Sequence, residues 1–408
     1  TDLFNRAQGS YRVGDYQATE KLLNLYLKDA GESREARLLL GSTYASLGKN
    51  EKALDEFLIL LAKDEEDGEA LNNLAVLYRK LERYDEALQA FEKSIELNPD
   101  KADLYYNLGN VHKQLGNGSA AAAAYKKVIE LDPHYVNAWN NLGTMYDRLG
   151  ESEMAFKAFR KGLVLDQNNP TLHFNYGLAL ESLGRLEDAG REYEAALRSR
   201  PGWVQAMNNN GIIQFKRGRH SEALETFGNI LIIDPSNAEA HNNIGVVLAD
   251  MGRDDEALKN YRRALEHNSS YIKAIVNLER LLENMGDFAG ATAELERLVK
   301  LVPDSVDARI RLARIYIRLQ RWQDALGQAQ KAFEWDPENV DVLTTLGTAW
   351  RAMGNTKEAQ KAFEALLSID PGNYAYHMDL ADLHFQKKEY EQAEKQIKAF
   401  LTRSPEDR

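Results

Sequence analysis

Alanine stands at positions 53, 87, 121, 155, 189, 223, 257, 291, 325, 359 and 393, eleven times at a spacing of 34 residues. A register held that long is the mark of a repeat architecture, in which each unit buries its apolar face against its neighbours and no single central core forms. Eight of the nine prolines share the same spacing (Pro99, Pro133, Pro201, Pro235, Pro303, Pro337, Pro371 and Pro405), and only Pro170 departs from it. With a unit starting at Arg34, later units start at 68, 102, 136, 170, 204, 238, 272, 306, 340 and 374, and residues 1–33 make one more. Twelve units thus fill the chain.

Each unit reads as two helices. In the fifth, Trp139, Leu142, Gly143 and Tyr146 lie at helical spacing, Gly150 interrupts, and Ala155, Phe159 and Leu163 resume the pattern. Helices of roughly 13 residues are marginal alone, so their stability must come from packing. Glycine recurs at the eighth position of the unit (Gly41, Gly109, Gly143, Gly177, Gly211, Gly245 and Gly347), where a side chain would hold two helices apart. The alanine column is read as the matching contact on the second helix. The proline column follows the helix end, where a missing N–H and a fixed φ block continuation.

The segment Ala138-Trp139-Asn140-Asn141-Leu142-Gly143-x-x-Tyr146, followed by Gly150, Ala155, Phe159 and in most units Asp-Pro, resembles the tetratricopeptide repeat. The resemblance covers nearly the whole chain. It implies an all-α fold, a right-handed superhelical solenoid of antiparallel helix pairs running continuously over residues 1–408. In that family the first helix of each pair lines a concave groove, the second lies outside, and the groove holds a peptide or partner protein. Three departures carry expectations of their own. Glu279 replaces the small eighth residue of the ninth unit, which predicts looser or tilted packing there. The first unit has one residue fewer between Tyr11 and Gly14 than its counterparts and puts Thr19 in the alanine column. The chain stops at Arg408, just after Pro405, so either the last unit serves as a cap or further sequence is missing.

The sixth residue is asparagine in seven successive units: Asn73, Asn107, Asn141, Asn175, Asn209, Asn243 and Asn277. Asn72, Asn140, Asn208 and Asn242 precede four of them. An amide side chain offers both a donor and an acceptor, the complement of a peptide backbone. The family fold turns this column toward the groove, and a similar asparagine ladder lines the superhelical repeats attached to O-linked N-acetylglucosamine transferases. The alternative is that the amides bridge neighbouring first helices. Beyond the ladder, Lys273, Arg280, Arg311, Arg314, Arg318 and Arg351 fall at inward-facing positions (second, sixth, ninth, twelfth or thirteenth) and suit an acidic ligand, unless Asp307, Glu283 and Asp341 neutralise them. The carboxylate clamp of the family expects Lys at the fifth and Asn at the ninth position. No unit has that Lys, and Asn110 alone supplies the Asn, beside Tyr106, so chaperone-tail recognition is not expected. Tyr106, Phe174, Leu178, Ile212, Phe215 and Val246 offer apolar contacts on the same face or fill gaps between helices.

Little in the chain suggests chemistry. His173, His241 and His377 occupy the fourth position, elsewhere Trp139 or Tyr105, and read as packing residues; His377, Asp379, Asp382 and His384 spread too widely around their helix for one metal site. Gly48-Lys49-Asn50 lacks the hydroxyl residue and spacing of a phosphate loop. Asn117-Gly118-Ser119 and Asn268-Ser269-Ser270 match a glycosylation acceptor, a pattern short enough to arise by chance. No cofactor is implied. Lys and Arg number 51 against 63 Asp and Glu, a formal charge of −12 with no basic run, which disfavours nucleic acid as partner. No apolar run exceeds six residues, as in Phe57–Ala62, far short of a membrane span. Cysteine is absent, which excludes disulfides and thiolate sites and tilts the localisation toward a bacterial periplasm over a cytoplasm. The reading is a non-enzymatic scaffold for a protein or extended peptide. Its alternatives are the substrate-recruiting arm of a larger, glycosyltransferase-like enzyme and a scaffold that assembles with itself as a homo-oligomer.

Overall fold

The computed structural model describes residues 2–403, which form twenty-four α-helices and no strand. Pro405 and the end of the chain at Arg408 lie outside the described residues. The helices gather into two compact units, one ending at Ile213 and the other beginning at Gln214. The first unit holds α1 (Asp2–Arg12), α2 (Tyr16–Ala30), α3 (Arg34–Ser46), α4 (Asn50–Lys63), α5 (Gly68–Lys80), α6 (Tyr84–Leu97), α7 (Ala102–Gln114), α8 (Gly118–Leu131), α9 (Val136–Arg148), α10 (Ser152–Leu165), α11 (Pro170–Ser182) and α12 (Leu186–Ser199). The division falls within α13 (Val204–Lys216). The second unit continues with α14 (His220–Ile233), α15 (Ala238–Asp250), α16 (Asp254–His267), α17 (Ile272–Asn284), α18 (Phe288–Leu301), α19 (Val306–Arg318), α20 (Trp322–Trp335), α21 (Val340–Ala352), α22 (Thr356–Ile369), α23 (Tyr374–Gln386) and α24 (Tyr390–Arg403).

From α3 onward every first helix begins on the residue where the 34-residue grid opens a unit. The residue just before it explains why. Ser33, Asp67, Asn169, Asn237, Ser305, Asn339 and Asn373 each cap the helix, the side-chain oxygen accepting a backbone N–H of the first turn. Between the two helices of a unit one residue takes a left-handed backbone. It is usually glycine, as at Gly150 (φ 76°), but Glu82, Gln320 and Lys388 adopt the same conformation at φ 58°, 56° and 62°, so the turn geometry holds even where glycine is absent.

The alanine column is fully buried from Ala53 to Ala359. The glycine column, however, meets a different partner from the one the sequence suggests. A Cβ placed on Gly41, Gly109, Gly143, Gly177, Gly245 or Gly347 would come within 2.6–2.8 Å of the ring of Phe57, Tyr125, Phe159, Tyr193, Tyr261 or Phe363, respectively. The ring stands one helical turn beyond the alanine. Glycine at position eight therefore makes room for an aromatic side chain on the second helix of its own unit. Buried clusters then run from unit to unit, for instance Tyr125, Met145, Tyr146, Phe159 and Leu172 across α8 to α11.

The ninth unit carries its acid on a helix pair of ordinary length. Its helices α17 and α18 have the same lengths as their counterparts, and Leu295 stands where most units carry the ring. Glu279 is completely buried and its carboxylate is met by the Arg311 guanidinium of the next unit. A smaller residue on the second helix and an ion pair to the next unit thus stand where other units have glycine and a ring. In the first unit α1 is two residues shorter than the other first helices, Asp15 caps α2, and Thr19 is buried with its hydroxyl donating to the Asp15 carbonyl at 2.7 Å.

Candidate binding surface

First helices of successive repeats touch one another, α1 with α3, α3 with α5, α5 with α7 and α9 with α11 in the first unit, and α15 with α17 and α19 with α21 in the second. The asparagines sit on this crowded face. Asn175 donates from Nδ2 to Asn140 Oδ1 at 2.9 Å, and Asn277 does the same to Asn242 Oδ1 at 2.9 Å. A sixth-position amide thus reaches back to the fifth-position amide of the preceding repeat. Asn141 meets Tyr106 there instead, donating to Tyr106 Oη at 3.3 Å and to Asn110 Oδ1 at 3.4 Å, while Lys113 Nζ donates to Asn141 Oδ1 at 3.3 Å. Asn72 donates to its neighbour Asn73 and Asn242 to Asn243. Asn107 makes no side-chain hydrogen bond, and Asn208 and Asn209 lie on α13, the first buried and the second partly so. Bridging between first helices is therefore a real part of what the ladder does. It does not exhaust the amides: the Oδ1 atoms of Asn175 and Asn277 have no protein partner and are not buried.

The arginine-rich stretch also comes together, around a cavity of about 610 Å³ lined by Arg280, Glu283, Asp307, Arg311, Arg314, Ile317 and Arg318. Three of its four cations are matched by acids. Arg314 pairs with Asp341 at 2.6 Å, Arg318 with Glu283 at 3.7 Å, and Arg311 with buried Glu279 and with Asp307 at 3.7 Å. Burial lowers the pKa of Arg311. Arg351, outside the cavity, pairs with Asp379 at 2.5 Å and lies over the Phe363 ring. Arg280 and Lys273 are exposed and carry no ion pair. Of the apolar candidates, Phe174 is buried against Trp203 and Tyr193, and Tyr106 packs with Tyr125 and Tyr135, whereas Leu178 remains 39% exposed.

Family models decide what kind of array this is. Models described as TPR repeat match residues 77–116 and 211–252, and models described as tetratricopeptide repeat match 102–135, 124–157, 157–204, 238–271, 282–343 and 351–408. The chain is a tetratricopeptide-repeat protein. No curated protein matches it. Among solved structures, the YrrB structure, titled a TPR protein with an unusual peptide-binding site, is 26% identical and aligns over 46% of this chain and 97% of its own, with a TM-score of 0.41. MamA is 26% identical over 40% of this chain and 95% of its own (TM-score 0.38), and PilF of Pseudomonas aeruginosa 22% identical over 54% and 96% (TM-score 0.44).

Within the tetratricopeptide repeat, the fourth position has a definite structural task. Trp139 Nε1 donates to the Pro133 carbonyl at 2.9 Å, and His241, Arg309 and His377 make the same bond to Pro235, Pro303 and Pro371. His173 makes it to the Gln167 carbonyl at 2.9 Å. On the other side the residue ties to the second helix: His173 Nδ1 to Glu192 at 2.6 Å, Arg309 to Gln328 at 2.9 Å, His377 Nδ1 to Gln396 at 2.9 Å. These histidines are latches between a loop and two helices. His377, Asp379 and His384 have separate partners in Gln396, Arg351 and Glu389, and no group of three or more potential metal ligands occurs among the described residues. Nor is any described helix long and apolar enough to cross a membrane. What sequence reasoning misses on this tetratricopeptide surface is the set Arg79, Lys113 and Arg148. They occupy the twelfth and thirteenth positions, the very columns that mark Arg318 and Arg351 as inward-facing.

Proposed function

We propose that the protein is a non-enzymatic scaffold that holds an extended segment of a partner protein along a first-helix face. The observation that carries this is the geometry of Asn175 and Asn277. Each is oriented by a 2.9 Å bond from its own amide nitrogen to the preceding repeat, which leaves its Oδ1 as a fixed acceptor beside solvent. An acceptor held in one orientation suits an N–H group of an extended backbone, which such a surface reads without reading side chains. Each such bond adds only about 0.5–1.5 kcal/mol, so affinity requires several rungs acting together.

The test is selection of peptides from a random display library on the full chain, followed by binding of the recovered peptides to a variant carrying Asn107→Ala, Asn175→Ala and Asn277→Ala. Binding that is lost while the helical signal stays intact supports the reading. Recovered peptides that bind the variant equally well refute it.

A further inference from the structure

Repeats three to five carry Arg79, Lys113 and Arg148 in the last turns of their first helices without an ion pair, and unlike the exposed Arg280 and Lys273 of the arginine-rich stretch, Lys113 is partly withdrawn from water. Lys113, in the last turn of α7, is half-buried, makes no ion pair, and has a single neutral acceptor, Asn141 Oδ1 at 3.3 Å. An ammonium group has three donors, and one that is partly withdrawn from water with two of them unused is costly to keep charged. Its electrostatic neighbour is another cation, Arg148, and burial together with that charge lowers the Lys113 pKa. Arg148 is exposed and makes no ion pair, and Arg79 in repeat three has a buried Nε with no acceptor. Asp147, in the same column as Lys113 one repeat on, makes no ion pair; burial raises its pKa against the opposing pull of a Ser182 hydrogen bond and of the Arg148 charge, so the acid it offers is turned to Arg148 and not to Lys113. Around the ammonium the amides are already ordered: Tyr125 Oη donates to Asn110 Oδ1 at 2.8 Å, and Asn141 donates to Asn110 and to Tyr106. In contrast, Arg311, Arg314 and Arg318 are each held by acids from their own or a neighbouring repeat.

We propose that Lys113 and Arg148, set beside the Tyr106–Asn110–Asn141 network, form an anion-binding subsite that takes the side-chain carboxylate of an acidic residue in the bound segment. This rests on the reading that an extended segment lies along the first-helix face. The carboxylate fills the unused Lys113 donors and relieves the repulsion between the two cations; Asn141 sets the ammonium in place. An acidic residue therefore fixes the register of a chain that the ladder alone leaves free to slide.

Fluorescence anisotropy on the full chain separates this subsite from the surface it belongs to. The probes are a fluorescein-labelled glycine-serine peptide carrying a run of glutamates and its glutamine and lysine counterparts. The glutamate peptide binds tightest. Lys113→Gln with Arg148→Gln weakens it by at least about tenfold, the loss of a charge-assisted hydrogen bond, and leaves the glutamine peptide unchanged. Arg148→Gln alone, a surface change that does not endanger folding, gives a smaller loss in the same direction, and Lys113→Arg retains binding. A glutamine peptide that binds as well as the glutamate peptide overturns the subsite and leaves the scaffold reading standing. The subsite is equally overturned if the affinity falls with Arg280→Gln and Arg314→Gln and not with Lys113→Gln. No binding of any of the three peptides overturns both.

Discussion

Replacing Gly143 by alanine sets two effects of opposite sign against each other, and the structure decides between them. Alanine in a helix interior is favoured over glycine by about 1 kcal/mol. The added methyl would lie 2.7–2.8 Å from three ring carbons of Phe159, which is 1% exposed and closed in by the cluster around Tyr125 and Tyr146. Such contacts are nearly an ångström too close, and the ring has nowhere to swing, so overpacking costs about 2–3 kcal/mol, in the upper part of its usual range. The net expectation is a loss of about 1–2 kcal/mol. The sharper expectation concerns the sign. In a Phe159→Leu background the ring is gone, as it is naturally at Leu295 opposite Glu279, and Gly143→Ala should then stabilise by up to about 1 kcal/mol. Because a repeat array need not melt in one step, the readout is hydrogen exchange of the α9 and α10 amides in the four proteins of the cycle, not a single melting temperature. Stabilisation by Gly143→Ala in the parent chain, or an unchanged sign in the Phe159→Leu background, would refute the packing argument.

Glu279→Ala should destabilise repeats nine and ten by about 3–5 kcal/mol, since it strips a buried cation of its partner, and adding Arg311→Leu should recover most of that loss; equal losses in exchange protection for the single and double variants would dissociate the pair from the effect. The His173 ring lies between two acceptors, the Glu192 carboxylate and the Gln167 carbonyl. Burial alone would lower its pKa, but those hydrogen bonds and the charge of Glu192 outweigh burial and raise it. Stabilisation by a raised histidine pKa is complete below the unfolded value of about 6.5 and is lost as pH rises through the folded one, so protection of α11 should fall above about pH 6.5. His173→Gln should flatten that dependence, and an NMR titration placing the His173 midpoint below about 6.5 would contradict it.

Where the sequence is informative, it is so because one residue type satisfies the geometry. The unit boundaries at Arg34, Gly68 and each later start are readable because alanine, proline and the turn glycine repeat with them, whereas the caps at Ser33, Asp67 and Asn169 that begin the helices vary in identity and form no column. Spacing pairs Gly143 with the alanine column because it does not say how far along the facing helix a contact falls; a helical side chain leans toward the N-terminus, which brings the ring of Phe159, one turn beyond Ala155, level with the glycine. The same periodicity makes Asn175 eligible both for bridging and for binding. In the folded chain it bridges with nitrogen and keeps its oxygen free. For the arginines the acids are visible in the sequence, at Asp307 and Glu283; that Lys113 makes no ion pair is not, because Asp147 stands in the same column one repeat on and only the fold shows that the two do not pair.

The fourth-position latch has a bearing on how such a chain can be lengthened. Its bonds reach six residues back, to the carbonyl of the proline column, and nineteen forward, to the second helix. A cut at the start of a first helix severs the backward bond, while a cut just ahead of the proline keeps loop, latch and both helices on one piece. The unit that can be copied, inserted or deleted intact therefore runs from proline to proline, out of phase with the helix pair the eye picks out. Along that cut, tryptophan, histidine and arginine become interchangeable parts, because all three present an N–H to the same carbonyl.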